Sequence, residues 1–160
     1  MPEILFVCTA NQFRSPIAAA CFLQKLQEKG TPGNWVITSA GTWTRDGYPA
    51  HPSALKEAAR LGLDISQHRS REVNASVMEA ADLVVVMEHG HHEALSIEFP
   101  QVYGKVALLT ELAGDVPVDL IDPFHSAFED SAEVADALVQ YVDAAFRNIL
   151  AKASANYSGR

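Results

Sequence analysis

Ile4-Leu5-Phe6-Val7-Cys8-Thr9-Ala10-Asn11-Gln12-Phe13-Arg14-Ser15-Pro16 decides how the chain folds. Its first four residues are an unbroken apolar run, the mark of a buried strand. Ile17-Ala18-Ala19-Ala20-Cys21-Phe22-Leu23-Gln24-Lys25-Leu26 then reads as a helix. Ser15 is expected at its N-cap and Pro16 at its first position, where a missing N–H costs nothing. Cys8 therefore ends a strand, Arg14 opens a helix, and five residues loop between them. Such a loop aims the backbone N–H groups of Thr9, Ala10, Asn11, Gln12 and Phe13 into one concavity, and the helix dipole adds positive potential. That environment suits a dianion and favours a thiolate nucleophile. Arg14 would grip two oxygens of the anion with its planar fork, which a lysine could not do as well.

The rest of the chain alternates strands and helices. The first helix should run over 16–29 and stop at Gly30-Thr31-Pro32-Gly33. Strands are expected over 35–40, 82–87 and 105–109, and helices over 52–61, 71–80, 88–95 and 131–153. Asp82-Leu83-Val84-Val85-Val86-Met87 is almost continuously apolar, as in a parallel strand buried on both faces. The pattern predicts an α/β fold: an open four-stranded parallel sheet with helices on both faces and a phosphate-binding loop after the first strand. Ligands of such sheets bind beyond the carboxyl ends of the strands, where Cys8, Ser39, Met87 and Glu88 should gather.

At 160 residues the chain is expected to form a single domain over 1–153, with a frayed tail over 154–160. A net charge of −8 argues against general binding to nucleic acid or anionic membranes. No apolar run reaches membrane-spanning length and no signal segment precedes the first strand, so the mature chain is expected to begin near Met1. Cys8 and Cys21, one in a loop and one in the following helix, are badly placed for a disulfide. Reduced thiols point to a cytoplasmic setting.

Attack on a phosphate ester also needs an acid to protonate the leaving oxygen. Asp122, in Asp122-Pro123-Phe124, is the candidate because proline stiffens its loop and an aromatic ring stands beside it. Asp115 and Asp119 are its competitors. Trp43 and Tyr48 either stack on a substrate ring or cover the sheet edge. His89, His91 and His92 match no standard zinc spacing and read as a solvated helix face. Glu129, Asp130 and Glu133 favour the start of the last helix through its dipole.

Val7-Cys8, then five residues, Arg14-Ser15-Pro16, with Asp122-Pro123 near the far end, resembles the low-molecular-weight protein tyrosine phosphatase family. Ser39-Ala40-Gly41-Thr42, His68-Arg69-Ser70-Arg71 and the stretch from Asp82 to Leu95 extend the resemblance over nearly the whole chain. It implies a nucleophilic Cys8 forming a phosphocysteine, phosphoryl binding by Arg14, and proton transfer by Asp122. It further implies that Ser39 and His68 support a strained turn at Asn11, and that Ser15 donates a hydrogen bond to the sulfur. Phe124 would flank the substrate ring. No metal or cofactor is implied. The implied partner is a phosphotyrosine-containing protein, bound by a monomer or weak homodimer.

The chain departs from the family pattern at Phe13, where many members carry a second cysteine, and at Gln12, where isoleucine is common. Ala10 replaces a common glycine, and Phe124-His125 replaces a tyrosine pair. The expected function is thus a cysteine-dependent hydrolysis of protein phosphotyrosine. Phosphoarginine hydrolysis stays open through Gln12, and arsenate reduction would require an external thiol. A non-catalytic phosphate-binding module would need neither the nucleophile nor the acid.

Overall fold

β1 (Glu3–Cys8) sends Ile4, Phe6 and Cys8 into one apolar cluster and Leu5 and Val7 into another. A strand with no solvent face must be apolar at every position, not only at alternate ones. β2 (Val36–Gly41), β3 (Leu83–Val86) and β4 (Val106–Leu108) complete the sheet. β3 divides its side chains as β1 does, Leu83 and Val85 to one side, Val84 and Val86 to the other. All strand pairs are parallel, in the order β2-β1-β3-β4. The structure, a computed structural model, describes residues 1–124 and 130–160.

Six α-helices accompany the strands among the described residues: α1 (Arg14–Glu28), α2 (Pro52–Arg60), α3 (Ala75–Ala80), α4 (His89–Glu98), α5 (Leu109–Leu112) and α6 (Ser131–Ser158). A 3-10 helix spans Pro100–Lys105. α1, α2, α5 and α6 cover the face of Ile4 and Phe6, while α3, α4 and the 3-10 helix cover the face of Leu5 and Val7. Phe22 of α1 joins the layers, with ring centroids 5.7 Å from Phe6 and 5.0 Å from Phe146. The chain leaves β1 to one side and returns to β3 on the other. Their carboxyl ends therefore flank a crevice, the place where open α/β sheets bind ligands.

Several element boundaries differ from expectation, each for a local reason. α1 begins at Arg14 with Phe13 at the N-cap and no side-chain cap bond, so Ser15 is not the cap; its hydroxyl is used by the loop instead. α3 starts only after Asn74, whose Oδ1 accepts from Val77 N–H at 2.9 Å. Residues 71–73 are committed elsewhere: Arg71 O and Val73 N–H bond Gly41, extending the edge of β2. The tail expected to fray over 154–160 continues α6 to Ser158. It is tied back to the sheet. Asn156 Nδ2 donates to Asp82 O at 2.8 Å, and Arg160 Nη2 pairs with the buried Asp82 carboxylate at 2.7 Å. Asp130 caps α6 through Ala132 N–H. His125 and Glu129 lie outside the described residues.

Gly41 closes β2 directly against the Cys8 loop. A Cβ there would stand 2.5 Å from Thr9 O, 2.9 Å from Thr44 Cγ2 and 3.1 Å from Asn11 Cβ. Thr9 O cannot withdraw freely, because it accepts from Trp43 N–H at 3.0 Å. Gly41→Ala is expected to destabilise the protein by about 1–3 kcal/mol, read as a lower urea midpoint.

Candidate active site

Asn11 is fully buried and has φ +56°, the one positive φ outside glycine among the described residues. Asparagine tolerates this region better than most side chains. Its Nδ2 donates to Ser15 Oγ at 2.8 Å and Ser39 Oγ at 2.9 Å, and its Oδ1 accepts from Arg71 N–H at 2.9 Å. Its backbone oxygen accepts from His68 Nε2 at 2.6 Å. Burial, more than the neighbouring Arg69, pulls His68 below its ordinary pKa against the opposing pull of that bond. Neutral His68 then carries its proton on Nε2.

Cys8 and Arg14 are each 2% exposed. Cys8 Sγ lies 3.0 Å from Ser15 Oγ. When the sulfur is a thiolate only the hydroxyl can be the donor, and Asn11 already supplies that oxygen with a proton. Arg14 Nη1 donates to Glu88 Oε2 and to Leu120 O, both at 2.6 Å. Nη2 reaches Thr9 Oγ1 at 3.4 Å and lies 3.9 Å from Asp122 Oδ2. The buried cation is thus anchored by Nη1 and compensated by Glu88. Its Nε–Nη2 edge, with Nη2 only loosely held by Thr9 and Asp122, has the fork geometry that suits a bidentate anion.

Cys8, Ala10, Gln12, Phe13, Arg14, Asp122 and Phe124 line a cavity of about 20 Å³. The three expected catalytic side chains therefore meet on one wall system. Of the remaining expected contacts, Asn11 and Ser15 sit behind the loop and support it. Thr9 turns its hydroxyl toward Arg14 and His91. Trp43 is 83% exposed and does not line the cavity; its backbone N–H bonds the loop at Thr9 O. Tyr48 is half exposed. The competing acids are held elsewhere, Asp119 on His89 and Asp115 on Val116 N–H and Tyr141. Asp122 Oδ1 accepts from Phe124 N–H at 3.0 Å, a turn that sets acid and ring together. Cys21 is buried in α1 with its thiol pushed up to about 11, chiefly by burial, so it is a poor relay for electrons.

Glu88, expected at this edge of the sheet, is the ion-pair partner of Arg14, and one residue of the site was not expected in it. His91, read above as part of a solvated face, is 5% exposed. Its Nδ1 accepts from Glu88 N–H at 3.2 Å, so the ring proton sits on Nε2 and is donated to Thr9 Oγ1 at 2.9 Å. Burial first and Arg14 second push its pKa down to about 4, against the pull of Glu88. The spacing of Glu88 and His91, N-cap and third residue of a helix, was the available signal that the imidazole turns back and inward.

A family model described as low molecular weight phosphotyrosine protein phosphatase matches residues 3–156. A probable low molecular weight protein-tyrosine-phosphatase of Ralstonia nicotianae, EpsP, is 38% identical over 134 residues, 82% of this chain and 86% of that protein. A protein-arginine-phosphatase of Bacillus subtilis is 31% identical over 136 residues, 85% of this chain and 89% of its own. A solved structure of the YwlE arginine phosphatase, a mutant with a phosphorylated active site serine, superposes with a TM-score of 0.83 at 28% identity. It covers 91% of this chain and 93% of its own.

Half-buried His68 and buried His91 both bind protons more weakly in the folded chain than in the unfolded one. Their contribution is complete above the ordinary value of 6.5 and is lost as pH falls, for His91 toward about 4. The urea midpoint should fall across this window, and His91→Gln should flatten the fall relative to the parent protein.

Proposed function

Because the chain belongs to the low molecular weight phosphotyrosine protein phosphatase family, we propose that it hydrolyses protein phosphotyrosine through a phosphocysteine. The observation that carries this reading is the convergence of Cys8, Arg14 and Asp122 on one small cavity. Cys8 Sγ attacks phosphorus in line with the departing oxygen. The S–P bond forms as the P–O bond breaks, and the proton of the Asp122 carboxyl goes to the leaving phenolic oxygen. The loop amides and the Nε–Nη2 edge of Arg14 hold the equatorial oxygens, which carry the charge of the transition state. The Ser15 hydroxyl stabilises the sulfur as nucleophile and again as leaving group. In the second step Asp122, now a carboxylate, takes a proton from water. That water attacks phosphorus, the S–P bond breaks and phosphate leaves.

A second substrate deserves the same test. Gln12 places an amide on the cavity wall, and a relative with 31% identity is a protein-arginine-phosphatase. An amide can hydrogen-bond a guanidinium, which an aliphatic side chain cannot. Setting and partners are read the same way: a protein substrate, a cytoplasmic location and a monomer or weak homodimer.

With 4-nitrophenyl phosphate as substrate, Cys8→Ser should lose about a thousandfold or more in kcat. Asp122→Ala should lose about 10²- to 10⁴-fold on a phosphotyrosyl peptide and less on the nitrophenyl ester, whose leaving group needs a proton less. Hydrolysis of phosphoarginyl peptide in preference to phosphotyrosyl peptide would decide for the second substrate. No hydrolysis of either would overturn the proposal.

A further inference from the structure

His51 makes three contacts that no residue of the proposed chemistry explains. Its backbone N–H donates to Gln12 O at 2.9 Å, inside the Cys8 loop. Its Nδ1 accepts from Ser53 N–H at 3.1 Å and so caps α2. Its ring lies on Phe124, with centroids 4.2 Å apart and planes inclined by 39°. Phe124 also meets Phe13 edge to face, at 5.8 Å and 83°. Phe124 is thus held between a loop residue and His51, although 48% of it faces solvent.

The cap gives the stack its rigidity. With Nδ1 fixed as an acceptor, the imidazole cannot swing off Phe124 without exposing an unpaired N–H at the head of α2. Phe124 in turn shares a turn with Asp122. The ring of His51 therefore docks the segment that carries both the acid and the aromatic wall onto the loop that carries the nucleophile. A 20 Å³ cavity takes about one water, so an entering substrate ring must slide along Phe124 rather than fill existing space.

We propose that His51 is a positioning residue that sets specificity for aromatic phosphate esters, by holding Phe124 as a wall against the leaving group. The proposal rests on the phosphatase reading above and adds the origin of its preference for a ring. It requires that His51 act on the ring-bearing half of the substrate and not on the phosphoryl half, which belongs to Arg14 and the loop amides.

The test is a pair of variants that separate ring from cap. His51→Asn keeps a good N-cap acceptor and removes the ring; His51→Phe keeps a ring and removes the acceptor. His51→Asn should raise KM for 4-nitrophenyl phosphate about three- to tenfold. It should leave kcat and the inhibition constant of inorganic phosphate little changed. His51→Phe should restore KM while lowering the urea midpoint. In a Phe124→Leu background, His51→Asn should have no further effect on KM, since the two act through one contact. Three results would overturn the proposal: an unchanged KM in His51→Asn, a weakening of phosphate inhibition in proportion to KM, or a His51→Phe protein that behaves like His51→Asn. Failure of the parent protein to hydrolyse the ester is a different outcome. It would remove the phosphatase reading on which the proposal rests.

Discussion

Asn11 holds a backbone conformation that most residues avoid, and the rest of the site depends on its staying there. The left-handed turn costs about 1–2 kcal/mol. Four hydrogen bonds, to Ser15, Ser39, Arg71 N–H and His68, the first buried and the others partly so, return about 0.5–1.5 kcal/mol each, so the strain is outweighed. These partners come from α1, from β2 and from the segment before α3. The loop is therefore a product of the whole β2 side of the sheet, not of its own sequence. Gly41 belongs to the same arrangement, because a larger residue would push Thr9 and Asn11 away.

The other side of the loop is governed by charge. Arg14 is buried at the head of α1, where an uncompensated guanidinium would be costly. Glu88 neutralises it from the end of β3, and Leu120 O accepts a second bond from the loop that ends at Asp122. Leu120 N–H donates to Met87 O, which fastens that loop to β3. The topological switch between β1 and β3 thus brings Cys8, Arg14, Glu88 and Asp122 to one crevice. His91 completes the packing by donating to Thr9 while staying neutral.

Much of this was legible in the residues. The continuous apolar runs of β1 and β3 marked strands covered on both faces. The spacing of Cys8 and Arg14 marked a loop between a strand and a helix, and the structure brings Asp122 to the same cavity. What stayed hidden required knowledge of long-range partners. Ser15 looked like a cap because serine before proline usually is one, yet Cys8 and Asn11 claim its hydroxyl. His91 looked solvated because a short helix with three histidines does not show which face is buried. The end of α6 looked frayed because its anchor, Asp82, lies about half a chain away. Trp43, a large aromatic beside the loop, projects into solvent and not into the cavity.

The most direct test of the account is to look for the covalent bond it requires. Asp122→Ala protein should be mixed with a phosphotyrosyl peptide, quenched within one turnover, digested and read by mass spectrometry. The account predicts one phosphoryl group on the peptide containing Cys8, none on the peptide containing Cys21, and a shorter lifetime of that group in the parent protein, whose Asp122 takes the proton of the attacking water. Turnover by the parent protein with no phosphate ever found on Cys8, or undiminished turnover by Cys8→Ala, would contradict it.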